Sequence, residues 1–181
     1  MSDSIFNLNY FEIFSQPVTT DPDVDLLKEK NRELQQQVHP DKFANSSDAE
    51  KRQAMQKTSL INEAFETLKR PVSRLQYMLV LKGVDMNGET DTSMDGAFLM
   101  EQMELRESIA EVRNHSDPLD VLDKMLVDLK SKAKNLIVEF AGFYEHEDLE
   151  KSRETVRKLQ FINKAEKEVK EIVEQLEDEL I

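Results

Sequence analysis

The sequence predicts an all-α protein built in two parts, an N-terminal helical hairpin with flanking helices and a C-terminal three-helix bundle. Three observations carry that prediction. Only 4 glycines and 5 prolines interrupt 181 residues, of which 34% are charged and 39% apolar, and the long stretches rich in Glu, Lys, Leu and Gln consist of good helix formers. Apolar residues recur at helical spacing over long segments. One stretch, VDMNGETDTSMD over residues 84–95, lacks that period and is rich in turn-forming side chains, as a linker is. The expected domains are therefore 1–83 and 96–181, joined by 84–95.

The elements follow in order. Asn7 to Phe14 is a short opening rich in aromatics (Tyr10, Phe11, Phe14), and Thr20-Asp21-Pro22 has the polar residues and proline of a helix start. A helix is predicted from about Asp23 to Val38, with Leu27, Leu34 and Val38 on its buried stripe and Lys28, Lys30 and Arg32 on other faces. Pro40 disfavours helical geometry at His39, so that helix stops there. Ser47-x-x-Glu50 matches a capping box, in which each side chain satisfies a backbone N–H left free by the first turn. The helix it opens runs to about Lys69, burying Ile61, Ala64, Phe65 and Leu68. Pro71 restarts the chain into a helix carrying Leu75, Met78, Leu79 and Leu81, and Gly83 ends it. Beyond the linker, helical patterns cover roughly 96–114, 117–143 and 147–180. Their short connections favour antiparallel neighbours and a three-helix bundle.

Composition excludes several classes of function. With no cysteine there is no disulfide, thiolate zinc site, thiolate-bound iron–sulfur cluster or cysteine nucleophile. No membrane span or secretory leader is visible, so the cytoplasm is the expected compartment. A net charge of −13 argues against general nucleic-acid binding, which needs clustered Lys and Arg. Its distribution says more than its total. Residues 1–83 carry 11 basic and 12 acidic side chains, or −1, whereas residues 84–181 carry 13 and 25, or −12. The two halves are expected to meet different partners.

His39-Pro40-Asp41 lies in the loop between two helices expected to pack antiparallel, which puts its side chains at one exposed end of the hairpin. Proline restricts the backbone, while His and Asp offer hydrogen-bond and charge partners at a reproducible position. A docking element needs those properties. A catalytic His–Asp dyad would need a nucleophile in known geometry, a phosphate-cradling Gly loop or a second His, and the sequence offers none. No catalytic residue, cofactor or metal is assigned. The tripeptide alone reads equally as a helix-stopping loop; its setting adds to it.

HPDKF follows a helix with basic residues and precedes Ile61-Asn62-Glu63-Ala64-Phe65-x-x-Leu68 and Pro71-x-x-Arg74-x-x-Tyr77. That ordered set, over about the first 80 residues, resembles the J-domain family. The resemblance implies that His39, Pro40 and Asp41 contact an ATP-bound Hsp70, with Lys28, Lys30, Arg32 and Lys42 facing an acidic surface of it. The turn before the tripeptide departs from the family, since Gln35-Gln36-Gln37 lacks the positive charge common there. A weaker electrostatic contact or a dedicated partner follows. The bland reading of the basic residues is a solvated helix face.

The acidic half opens with AFLMEQMELRE at 97–107, which has more apolar residues than one buried face requires. At about 100° per residue, Phe98, Leu105, Ile109 and Val112 form the core stripe. Leu99, Met100 and Met103 group on another side, bordered by Glu104, Glu107 and Glu111. On the last helix Leu159, Ile162, Ala165, Val169, Val173 and Leu176 share a stripe, and Phe161 falls to its side, an exposed aromatic that extends the patch if the first and third bundle helices are adjacent. Periodicity leaves two readings open: a partner surface rimmed by carboxylates, or a wide bundle face that absorbs these residues.

Taken together, HPDKF, AFLMEQMELRE and RKLQFINK (157–164) are similar to the HscB family of J-protein co-chaperones of bacterial iron–sulfur cluster assembly, over nearly the whole chain. The resemblance implies HscA as the Hsp70 and the scaffold protein IscU as the client, held by Leu99, Met100, Met103, Glu104, Glu107, Glu111 and Phe161. Some members carry an N-terminal cysteine zinc module, and the lack of cysteine favours the bacterial form. The expected function is stimulation of the Hsp70 ATPase with delivery of the scaffold, without a reaction on this chain. A J-protein for another client and a non-catalytic helical adaptor are the alternatives.

Overall fold

A computed structural model describes residues 5–43, 45–86 and 95–179, with the backbone alone at Pro40. No strand occurs among the described residues. The helices are α1 (Tyr10–Ile13), α2 (Val24–Val38), α3 (Asp48–Lys69), α4 (Pro71–Leu81), α5 (Gly96–Glu111), α6 (Pro118–Glu145) and α7 (Leu149–Glu179), with short 3-10 turns at Ile5–Asn7, Pro40–Phe43 and Val112–Asn114.

Helix starts are set by local hydrogen bonding. The Asp23 carboxylate accepts from the N–H groups of Asp25 and Leu26 at 3.0 and 2.9 Å. Ser47 and Glu50 form the expected reciprocal box at the start of α3, the Glu50 carboxylate accepting from the Ser47 N–H at 2.9 Å. The Asp117 carboxylate caps α6 through the Asp120 N–H at 3.1 Å, with Pro118 in the first turn. At the end of α4, Gly83 takes φ +80°, a left-handed conformation a Cβ would strain, and its N–H and that of Val84 satisfy the carbonyls of Val80 and Leu79. The expected linker 84–95 falls outside the described residues over 87–94.

The chain divides into two compact units, the first ending at Met78 and the second beginning at Leu79. In the first, α2 and α1 pack on α3 around Phe11, Phe14, Leu27, Ile61, Ala64, Leu68 and Leu75, all essentially inaccessible. Tyr10 stacks on Tyr77 with ring centroids 4.2 Å apart. Gln35 donates from Nε2 to Asn62 Oδ1 at 2.5 Å, tying α2 to α3. The Arg74 guanidinium is buried and donates to the Leu68 carbonyl at 2.7 Å, holding the corner between α3 and α4; burial depresses its pKa.

The second unit contains the three-helix bundle. Ile109, Val112, Leu122, Leu129, Ile162, Ala165 and Val169 form its core, with Phe98, Leu105, Val173 and Leu176 packed against it. The helices run up, down and up: α6 packs along α7, and α5 lies parallel to α7, since Phe98 meets Phe161 near one end and Arg113 pairs with Glu179 at 3.0 Å near the other. Leu81, placed with the apolar residues of its helix in the sequence reading, is 39% exposed, because it lies in the last turn, past the residues that α4 buries.

Candidate functional site

The end of the first hairpin is shaped by the backbone before its side chains act. His39 closes α2 with φ −57° and ψ 132°, the extended conformation that a following proline favours. Pro40–Phe43 then makes one 3-10 turn. The Asp41 N–H donates to His39 Nδ1 at 3.3 Å and the Asp41 carboxylate lies 3.5 Å from the same nitrogen. Both contacts fall on Nδ1, so Asp41 engages the ring through that nitrogen. The two side chains are 59% and 90% exposed. Such a turn presents an imidazole and a carboxylate at a fixed spacing.

Of the basic residues expected to flank this turn, Lys28 pairs with Asp25 and Lys30 with Glu33, each at 3.0 Å within α2. Arg32 and Lys42 are exposed and have no such partner among the described residues. Gln36 and Gln37 are exposed and neutral, so the last turn of α2 faces solvent without charge.

On α5, Leu99, Met100 and Met103 are 42%, 64% and 63% exposed. The bundle does not absorb them. Glu104, Glu107 and Glu111 are exposed beside them and form no ion pair among the described residues. Phe161 departs from its expected exposure. It is half-buried, because its ring packs edge-on against Phe98 with centroids 6.1 Å apart, and Lys158 sits over the other ring of the pair at 5.6 Å. The site residues thus fall into two groups, one along α2 and the turn that follows it in the first unit and one on α5 and α7 of the second. Among the described residues no group of three or more His, Asp or Glu is placed to hold a metal ion, and no helix is long and apolar enough to cross a membrane.

Residues 94–170 match the family model described as the HSCB C-terminal oligomerisation domain. The co-chaperone protein HscB homolog of Shewanella halifaxensis is 40% identical over 174 residues, covering 94% of this chain and all of that protein. The chain belongs to the HscB family of co-chaperones. Two solved structures share its fold: HscB from Vibrio cholerae, 34% identical with a TM-score of 0.82 over 96% of this chain and all of that one, and human HscB, 29% identical with a TM-score of 0.81 over 90% and 81%. The first of the two parts of this HscB-family chain is accordingly a J-domain, and the second a C-terminal helical domain.

Sequence reasoning missed a groove beside the apolar patch. Gln102, Leu105, Arg106, Ile109, Phe161, Lys164, Ala165 and Glu168 line its narrow end. Periodicity signals which residues of one helix are buried, whereas a groove is made by two helices at a particular separation.

Proposed function

We propose that this HscB-family chain stimulates the ATPase of the specialised Hsp70 HscA through His39, Pro40 and Asp41 and delivers the scaffold protein IscU to it, assisting maturation of iron–sulfur proteins. The observation that carries the reading is the coexistence of two outward-facing surfaces on separate units. One is the turn at the end of α2 with His39 and Asp41 exposed, together with the cations Arg32 and Lys42, which are exposed and have no ion-pair partner among the described residues. The other is the exposed apolar group Leu99, Met100 and Met103 on α5, with the exposed carboxylates Glu104, Glu107 and Glu111 on the same helix.

A protein with no reactive centre accelerates a partner's chemistry by binding one state of that partner better than another. The His39–Asp41 turn suits that task because its geometry is set by backbone restriction before contact, so little ordering cost accompanies docking. Lys28, Lys30, Arg32 and Lys42 supply attraction to an acidic surface and raise the encounter rate. On the bundle, Leu99, Met100, Met103 and Phe161 supply desolvation energy, and Glu104, Glu107 and Glu111 restrict which partner surfaces can approach. Holding a client on one unit and the Hsp70 on the other couples delivery to hydrolysis.

The test is single-turnover ATP hydrolysis by HscA with IscU present. Wild type is expected to accelerate it and Asp41→Asn to lose the acceleration; because Asp41 is 90% exposed, its replacement leaves the fold intact. Equal stimulation by Asp41→Asn would remove the turn from the docking role. For the client, Leu99→Ala with Met103→Ala is expected to weaken IscU binding by about tenfold or more in calorimetry, in line with loss of two interface side chains. Unchanged affinity would remove the patch from the client role.

A further inference from the structure

Sulfur enters this chain only through its 8 methionines, since it has no cysteine. Their thioethers are therefore the side chains most readily attacked by a two-electron oxidant. The structure divides them. Met78 is 2% exposed, and Met125 is packed against the bundle core. Met55, Met100 and Met103 are 68%, 64% and 63% exposed, which leaves these side chains open to a small solute. Met100 and Met103 lie three residues apart on α5, and Leu99 lies four residues before Met103, so the three share one side of the helix. Met55 lies on α3, in the other unit, with Lys51 and Arg52 one turn before it.

Oxidation changes the character of the α5 patch. A lone pair on the methionine Sδ attacks one oxygen of hydrogen peroxide and the O–O bond breaks. The proton of the transferred oxygen passes to the departing one, which leaves as water; sulfur gives up two electrons and the peroxide takes them. A flexible apolar thioether becomes a polar sulfoxide whose oxygen is a strong acceptor. Once a partner covers that oxygen it needs a donor, and burying it without one costs affinity. The neighbours of Met100 one turn away are Gly96, Ala97, Met103 and Glu104, whose side chains offer no donor. In the same positions Met103 has Leu99, Met100, Arg106 and Glu107, so Arg106 is its single donor. The carboxylates of the patch accept and do not donate, and they oppose the new dipole rather than relieve it.

We propose that Met100 and Met103 form a reversible oxidation site, converted to sulfoxides in the free chain by hydrogen peroxide, with the loss of client binding as the consequence. The proposal rests on the reading that the α5 patch binds the client. Met100 carries the larger share, because its sulfoxide has no donor beside it. Reversal is the work of a methionine sulfoxide reductase: two thiols are oxidised to a disulfide, the sulfoxide oxygen leaves as water, and the thioether returns. Delivery of the client thus stops while peroxide is present and resumes without new synthesis of the co-chaperone.

The full chain is treated with hydrogen peroxide, freed of it by gel filtration, mapped by peptide mass spectrometry and titrated with purified, untreated IscU by calorimetry. Sulfoxide is expected at Met100 and Met103, with affinity falling by about tenfold or more. Methionine sulfoxide reductases for both sulfoxide epimers, supplied with a dithiol, are expected to restore it. Met100→Leu with Met103→Leu keeps the patch apolar and is expected to bind equally before and after treatment. Met55→Leu, which removes the methionine of matching exposure on α3, is expected to lose affinity on treatment as wild type does. Circular dichroism is expected to show the same helicity before and after oxidation; loss of helicity would assign the weaker binding to unfolding and overturn the proposal. It is equally overturned if peroxide leaves Met100 and Met103 unmodified, if the reductases fail to restore binding, if the Met100→Leu, Met103→Leu chain weakens on treatment as much as wild type, or if the oxidised chain binds like the untreated one. In that last case, weakening by Leu99→Ala with Met103→Ala leaves the client patch standing without its oxidation site, and no weakening by that pair rejects the patch as well.

Discussion

Tyr10 shows how one side chain carries information that its residue type does not. Stacked on Tyr77 and hydrogen-bonded to Glu63, its phenol is pushed up to about 12, by burial first and by the neighbouring carboxylate second. The folded state thus holds this proton more tightly than the unfolded chain, whose tyrosine titrates near 10. The associated stability is complete below about pH 10 and is lost as pH rises toward about 12. Thermal unfolding of the first unit is expected to weaken across that window, and Tyr10→Phe to flatten the dependence; an unaltered slope in Tyr10→Phe would exclude this origin. The aromatic opening was legible as a cluster of Tyr10, Phe11 and Phe14, yet which ring stacks on Tyr77 depends on contacts 67 residues apart along the chain. Phe161 teaches the same lesson in reverse. Its angular position was readable from the sequence, but its half-burial is set by the Phe98 ring on another helix.

At the scale of elements, local chemistry accounts for most boundaries. The Ser47–Glu50 box starts α3 where the sequence placed it, and Asp148, held below the usual carboxylate range by Lys151, helps start α7. Removing the cap by Ser47→Ala is expected to destabilise the first unit by about 1 kcal/mol, measured by chemical denaturation. Glu50 in the same box is also held below its ordinary pKa by Ser47. Its contribution is therefore present at neutral pH and lost as pH falls through the depressed value, so Ser47→Ala should also reduce the acid sensitivity of the unit. Helix ends were legible because caps and prolines act within three or four residues. The length of α5 was less so: periodicity continues to residue 114, but the chain tightens from α-helix to a 3-10 turn over Val112–Asn114, a change of hydrogen-bond pattern that leaves the apolar spacing almost untouched.

For the whole molecule, the separation into units predicts separable failures. Leu129 is 1% exposed in the core of the bundle, and Leu129→Ala is expected to cost about 2–5 kcal/mol through lost burial and the cavity left behind. On the function proposed above, client binding is then expected to fail at a lower temperature than in wild type, whereas Leu27→Ala, in the core of the first unit, is expected to act first on Hsp70 stimulation. Calorimetric melting of both variants alongside the two binding assays checks this; loss of both functions together in each variant would contradict it.

The sequence by itself determined the all-α class, the order of the helices, the turn at His39-Pro40-Asp41 and the concentration of negative charge in the second half. Those features depend on periodicity, capping, proline geometry and composition, which act locally or add up residue by residue. Tertiary structure decided which surplus apolar residues remain outside the bundle, how Phe161 is half-covered, and that Arg106 and Lys164 face each other across a groove. Exposure and complementarity belong to pairs of helices, because a side chain is buried only by what packs against it.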